Sequence, residues 1–226
     1  HTITVLDPAH GADGAVVEVR DCTWRDVYVR VERHPSATSD RTHVRILLSG
    51  LTLDGNCSGF EVALSGDVTV EATNGTRINA TCLDPVGRPV VAALGVVPPT
   101  NTSPMENVAI RVGGGSQLIA RGTLSEKPGT ANTALAAGVL LRNETARNVS
   151  IRLTDGSVAD AAAPRRAAAA AVVGTTEDVT CDAFVLSASG NGTAARARCT
   201  DRNFVVGAAA AVGVAAGSAT SLRLRT

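Results

Sequence analysis

One pattern constrains this chain of 226 residues more than any other: three apolar residues at alternate positions, then a turn rich in Gly, Asp, Asn, Ser and Thr. It stands at Ala15-Val17-Val19, Val44-Ile46-Leu48, Val68-Val70-Ala72, Val108-Ile110-Val112, Val149-Ile151-Leu153, Val179-Cys181-Ala183 and Thr220-Leu222-Leu224. The clearest copies are NVAIRVGGGS from Asn107, NVSIRLTDGS from Asn148 and DVTVEATNGT from Asp67. Alternation of this kind belongs to a strand with one buried face. A second apolar run lies between copies, as in DVYVRVE from Asp26, GFEVALSG from Gly59 and ALAAGVLL from Ala134. Each unit therefore reads strand, turn, strand, loop.

The copies begin 24 to 41 residues apart, too irregular for a solenoid of fixed period. A parallel β-helix accepts such irregularity, because its strands keep register while its loops vary. Each coil lays one strand on each of two or three parallel sheets, about 4.8 Å from the last. The sequence predicts an all-β, right-handed parallel β-helix of about six to seven irregular coils, forming one domain over 1–226. The alternative is a β-sandwich, which explains the recurrence less well. The Ala-rich run from Ala161 to Ala171 fits a short helix, or equally a loop entering a strand.

Apolar residues make up 44% of the chain, enough for a buried core, but aromatics only 2%. The core must be built from Val, Leu, Ile and Ala, which suits thin stacked layers. The formal net charge is zero, which gives nucleic acid or an anionic membrane no electrostatic claim as partner. The weakly polar run from Val205 to Gly217 is too short to span a bilayer, so no membrane insertion is expected. No basic leader with an apolar segment opens the chain, and its start at His1 suggests a processed form or a fragment.

Seven of the ten asparagines open an Asn-X-Ser/Thr sequon: Asn56, Asn74, Asn79, Asn101, Asn143, Asn148 and Asn191. About two would arise by chance at the pattern's own frequency. The excess points to N-glycosylation in the secretory pathway, and so to an extracellular or cell-surface location. A competing reading is that Asn and Thr recur in turns, whose chemistry favours them. Five cysteines suit the same compartment. Cys57 lies 13 residues after Val44 and Cys82 lies 14 after Val68, nearly equivalent places in successive units. Stacking would bring them within disulfide range, so Cys57–Cys82 is expected. Cys181 and Cys199 fall within one unit and are the second expected pair, leaving Cys22; other pairings stay open.

Candidate chemistry is sparse. ITVLDPAHGADGAV, Ile3 to Val16, resembles the opening of zinc-dependent N-acetylmuramoyl-L-alanine amidases, which implies a zinc ligand at His10. The second His of that family's serine-rich strand end is missing, since His34 and His43 have other contexts, and a catalytic zinc needs three converging ligands. Glycoside hydrolysis needs two flanking carboxylates. Asp21 with Asp26 and Asp178 with Asp182 are the candidates, and neither has a stacked carboxylate in the next unit. RVGGGSQ from Arg111 lacks the Lys-Ser/Thr of a phosphate loop. PRRAAAAA is a short basic loop, and Trp24 with Tyr28 serves core packing as readily as contact. No catalysis, metal or cofactor is expected.

VVEVRDCTWRDVYVRVE from Val16 and VRILLSGLTLDG from Val44, with the Asn/Asp-Val-x-Val units and dense sequons, resemble the repeats of the large kinetoplastid surface glycoproteins called dispersed gene family protein 1. The resemblance implies a β-helical, surface-located, adhesive protein and no catalytic residues. The expected function is therefore structural or adhesive. The bare strands Thr2–Leu6 and Thr220–Arg225 are candidates for head-to-tail self-association into a filament. Alternatives are a carbohydrate-active β-helix enzyme, or a module binding a glycan or protein through loops such as Pro98–Glu106 or Pro128–Ala134.

Overall fold

The structure is a computed structural model that describes residues 2–6, 15–20, 23–25, 27–32, 43–63, 67–82, 90–97, 105–122, 135–143, 145–164, 166–173, 179–200, 208–215, 217–219 and 222–225. These residues form three sheets. The first holds β1 (Thr2–Leu6), β4 (Val27–Glu32), β7 (Ser58–Ala63), β10 (Val90–Val97), β13 (Leu135–Arg142), β16 (Arg166–Val173) and β19 (Ala208–Ala215), in that order. The second holds β2 (Ala15–Arg20), β5 (His43–Ser49), β8 (Asp67–Thr73), β11 (Met105–Val112), β14 (Thr145–Thr154), β17 (Val179–Ser189) and β20 (Gly217–Ala219), with β21 (Leu222–Arg225) also on β17. The third holds β3 (Thr23–Arg25), β6 (Thr52–Asn56), β9 (Arg77–Cys82), β12 (Gln117–Gly122), β15 (Val158–Ala163) and β18 (Ala194–Cys199).

The chain visits the three sheets in turn, and each round lies beside the one before it. Every ladder among the described residues is parallel. The face-to-face antiparallel layers of a sandwich are not what these strands form. The expected strand-turn-strand unit is corrected to three strands per round. The missed strands are those of the third sheet, whose short sequences RINATC, QLIARG, VADAAA and AARARC each carry at most one large inward apolar residue, Ile78 or Leu118, beside alanines. The Ala-rich run is strand as well, divided by Pro164 between β15 and β16.

The first five copies of the apolar pattern stack in register in the second sheet. Ala15 lies across from Val44, Val44 from Val68, Val68 from Val108, and Val108 from Val149. The sixth copy is corrected: Val149 and Ile151 pair with Phe184 and Leu186, not with Val179 and Cys181. The cause is a left-handed residue before each inward run, at Asn107 (φ 54), Asn148 (φ 51) and Ala183 (φ 50), which resets the alternation within the strand. Inward files such as Ile46, Val70, Ile110, Ile151 and Leu186 are fully buried. Each such side chain contributes about 1.5–3 kcal/mol on burial.

Asparagine, whose amide can hydrogen-bond locally, enters the left-handed region more readily than alanine, for which the penalty is about 1–2 kcal/mol. Asn148 donates its Nδ2 to Asn107 Oδ1 at 2.6 Å, and Asn107 donates to Asp67 Oδ1 at 2.9 Å. Ala183 occupies the next rung of this ladder with no amide to offer. Ala183→Asn should therefore raise stability by about 1 kcal/mol, seen as a higher urea midpoint at unchanged m.

The corner from the second to the third sheet is tight. It spans two to four residues, whereas connections into and out of the first sheet run from one to twelve. Asn74-Gly75, Gly114-Gly115 and Asp155-Gly156 each place two successive residues at positive φ, the geometry of a type I′ turn. Thr76, Ser116 and Ser157 donate backbone N–H to the carbonyls of Thr73, Gly113 and Thr154 to close them. Their side chains are buried in one file beneath the corner. Thr76 Oγ1 donates within reach of Leu48 O (3.1 Å) and Thr73 O (2.7 Å).

In the first sheet, Ala93-Leu94 and Ala169-Ala170 each send two successive side chains into the interior, while Ala92, Ala137, Leu140, Ala168 and Ala171 form a separate apolar cluster on the opposite face. A Cβ at Gly138, level with Ala93 and Ala169, would stand 2.7 Å from Ala169 O. Glycine there lets the neighbouring backbones approach.

Candidate functional site

The inward rungs are apolar, so chemistry must sit on the outer faces. On the second sheet these carry Arg45, Glu71, Arg111 and Arg152 on successive strands. Glu71 accepts from Arg45 NH2 through Oε2 and from Arg111 NH1 through Oε1, both at 2.7 Å. Burial alone would raise its pKa, but the hydrogen bonds and charges of Arg45 and Arg111 outweigh this and hold it below the usual carboxylate value. A depressed folded-state pKa gives stability that is present above the unfolded pKa and is lost as pH falls through the folded one. The arginines are half exposed, so the pairs are worth about 0.5–1 kcal/mol together. Glu71→Gln should lose that margin near neutrality and match the parent in strong acid, measured by urea titrations across pH.

Arg147 NH1 lies 3.4 Å from Glu106 Oε1. On the third sheet, Asn79 donates to Asp54 Oδ1 at 2.7 Å and accepts from Arg77 Nε at 3.3 Å. Asp160 is 8% exposed. Its Oδ2 accepts from Arg121 NH2 (2.7 Å) and Arg198 NH2 (2.9 Å), and its Oδ1 is buried with no hydrogen-bond partner. These carboxylates are held by arginines or amides across rungs, so they act as cross-ties between rounds. Asp21, Asp26 and Asp178 lie outside the described residues, as does the side chain of Asp182. No three His, Cys, Asp or Glu side chains among the described residues are grouped to hold a metal, and His10 and His34 lie outside them. No described helix is long and apolar enough to cross a membrane.

The expected Cys57–Cys82 disulfide is present, with Cα atoms 4.3 Å apart and a sequence separation of 25. Cys82 heads a file that continues through Gly122 and Ala163 to Cys199. Cys181 lies in another sheet, level with Ala146, and its side chain is outside the described residues. The register therefore gives the expected Cys181–Cys199 pair no support: same-unit residues stand on different sheets, whereas equivalent residues of successive units stack. Cys22 is outside the described residues.

Asn56, Asn74, Asn148 and Asn191 are exposed and Asn79 is half-buried, whereas Asn143 is 4% exposed; Asn101 lies outside the described residues. Asn74 (φ 54) and Asn148 (φ 51) occupy left-handed positions that select asparagine for the backbone's sake. Gly114 and Asp155 fill the place of Asn74 in the next two corners without making a sequon. Part of the sequon excess thus has a cause in turn chemistry. Sequence reading missed the Asp67–Asn107–Asn148 ladder, although Asp or Asn at one fixed repeat position was the available signal. Comparison with known protein families, with curated proteins and with solved structures finds no match.

Proposed function

We propose that this chain is an extracellular, N-glycosylated structural or adhesive surface protein, folded as a right-handed parallel β-helix. The observation that carries this reading is the cross-tied stack itself: three parallel sheets whose successive rounds are joined by a disulfide, arginine–carboxylate pairs and an amide ladder. Right-handed crossovers are the rule for parallel strands. A disulfide suits an oxidising compartment. The resemblance to kinetoplastid surface glycoproteins points the same way. Head-to-tail association into a filament is part of this reading, since a parallel strand edge left unpaired presents hydrogen-bonding groups to another copy.

Secretion from a eukaryotic host, followed by glycopeptide mapping and light scattering, tests this. The expected result is glycan at Asn74, Asn148 or Asn191, none at buried Asn143, and mass that grows with concentration. Bare sequons in the secreted product would remove the glycoprotein, and a strict monomer at high concentration would remove the filament.

A further inference from the structure

The zero net charge conceals a division along the chain. Residues 1–110 carry 13 acidic and 8 basic side chains, and residues 111–226 carry 8 acidic and 13 basic. Strands join each sheet in chain order, so a division along the sequence becomes a division along the stack. The basic excess of the later rounds shows on the outer faces of the second and third sheets, at Arg111, Arg147, Arg152, Arg121, Arg196 and Arg198. Asp160 and Glu106 answer some of these charges. Arg152 and Arg196 are exposed and have no carboxylate within ion-pair distance among the described residues. Arg152 also stands directly across the ladder from Arg111, a like-charge pairing that destabilises a sheet. An anion lying across both would relieve it.

We propose that the arginine-bearing outer faces of the later rounds bind an acidic polysaccharide, a chain of carboxylated or sulfated sugars. The inference rests on the surface-protein reading and names the ligand class for it. Guanidinium groups hold carboxylate and sulfate through paired hydrogen bonds. Rungs about 4.8 Å apart present them at a spacing close to the length of one sugar ring. Neutral glycans and single-stranded nucleic acids are bound largely by stacking on exposed aromatics. Phe184, the aromatic of β17, is fully buried, and β11, β12, β14, β15 and β18 contain no aromatic residue. Recognition on these faces is therefore ionic.

The test is chromatography and titration of the folded chain on immobilised heparin and alginate, with dextran as neutral control and single-stranded DNA as competitor. The chain should be retained on heparin or alginate at physiological salt, pass through dextran, and resist displacement by DNA. The double variant R152Q/R196Q should keep or slightly raise its thermal midpoint, lose roughly tenfold in affinity, and show a log–log salt slope shallower by about 1.4. R77Q, in the acidic half, should bind as the parent does. Passage through both acidic columns overturns the proposal. So does binding that R152Q/R196Q leaves intact, and so does displacement by equimolar DNA, which assigns the faces to nucleic acid. Secretion and glycan occupancy are read separately, so failure here leaves the surface-protein reading standing.

Discussion

Phe184→Ala is expected to cost about 3–5 kcal/mol, at the upper end for a truncated aromatic. Phe184 is fully buried in the second sheet, in file with Val149. The other strands of its round supply small interior side chains: Ala167, Ala169 and Ala170 from β16, with Ala195 and Ala197 from β18 packed against the same core. Phe184 is the bulkiest buried side chain of a round whose neighbouring strands give mostly alanines to the same core. Alanines cannot extend into the vacated volume, and the paired strands are fixed at their spacing, so the cavity persists. Phe184→Leu should recover most of the loss. Urea denaturation of both variants decides: a deficit below about 1 kcal/mol for alanine would mean the round collapses, contrary to a rigid stack.

Removal of the disulfide, as C57A/C82A, is expected to cost about 3.5 kcal/mol by the chain-entropy relation for a 25-residue loop. The bond joins β6's round to β9's at the corner where the third sheet gives way to the first. Both residues are buried, Cys57 at 5% and Cys82 at 0% exposed, so the alanines add only a small packing loss. The measurement is the urea midpoint of parent and variant, with the reduced parent as a third arm. Reduced parent and variant should agree. If reduction left the midpoint unmoved, the bond would not be constraining the unfolded chain.

How far the fold could be read in advance depended on whether a strand kept strict alternation. Val44, Val68, Val108 and Val149 fall in one file because each opens an unbroken inward-outward run. The pattern failed at Val179-Cys181-Ala183, where the alternation runs into a left-handed residue, Ala183 itself, and the inward run begins after it at Phe184. Period-two reading cannot see a single residue at positive φ, because it changes the side on which later residues fall and not their composition. In the first sheet, paired inward residues such as Ala93-Leu94 hid the alternation behind a continuous apolar run. The disulfide was legible because equal offsets within repeats become adjacency on stacking. The arginine–carboxylate ties were not, since Arg45–Glu71 and Arg121–Asp160 bridge 26 and 39 residues by a register no local pattern encodes. Sequons gave the compartment expectation but could not separate Asn74, chosen by its turn, from an asparagine present for sugar.

The unequal corners carry a consequence for how such a chain can be altered. The bend between Thr73 and Arg77 is bonded rung to rung, with Gly75 N–H on Gly114 O and Gly115 N–H on Asp155 O. Residues added between Thr73 and Arg77 would disturb the Gly75–Gly114 link. The stretches between Cys82 and Val90 and between Gly122 and Leu135 already differ in length with no change of register in the strands they join. Foreign peptides grafted into those two stretches would leave the register of the joined strands unaltered, so length can be rewritten there while the ladders keep the gauge.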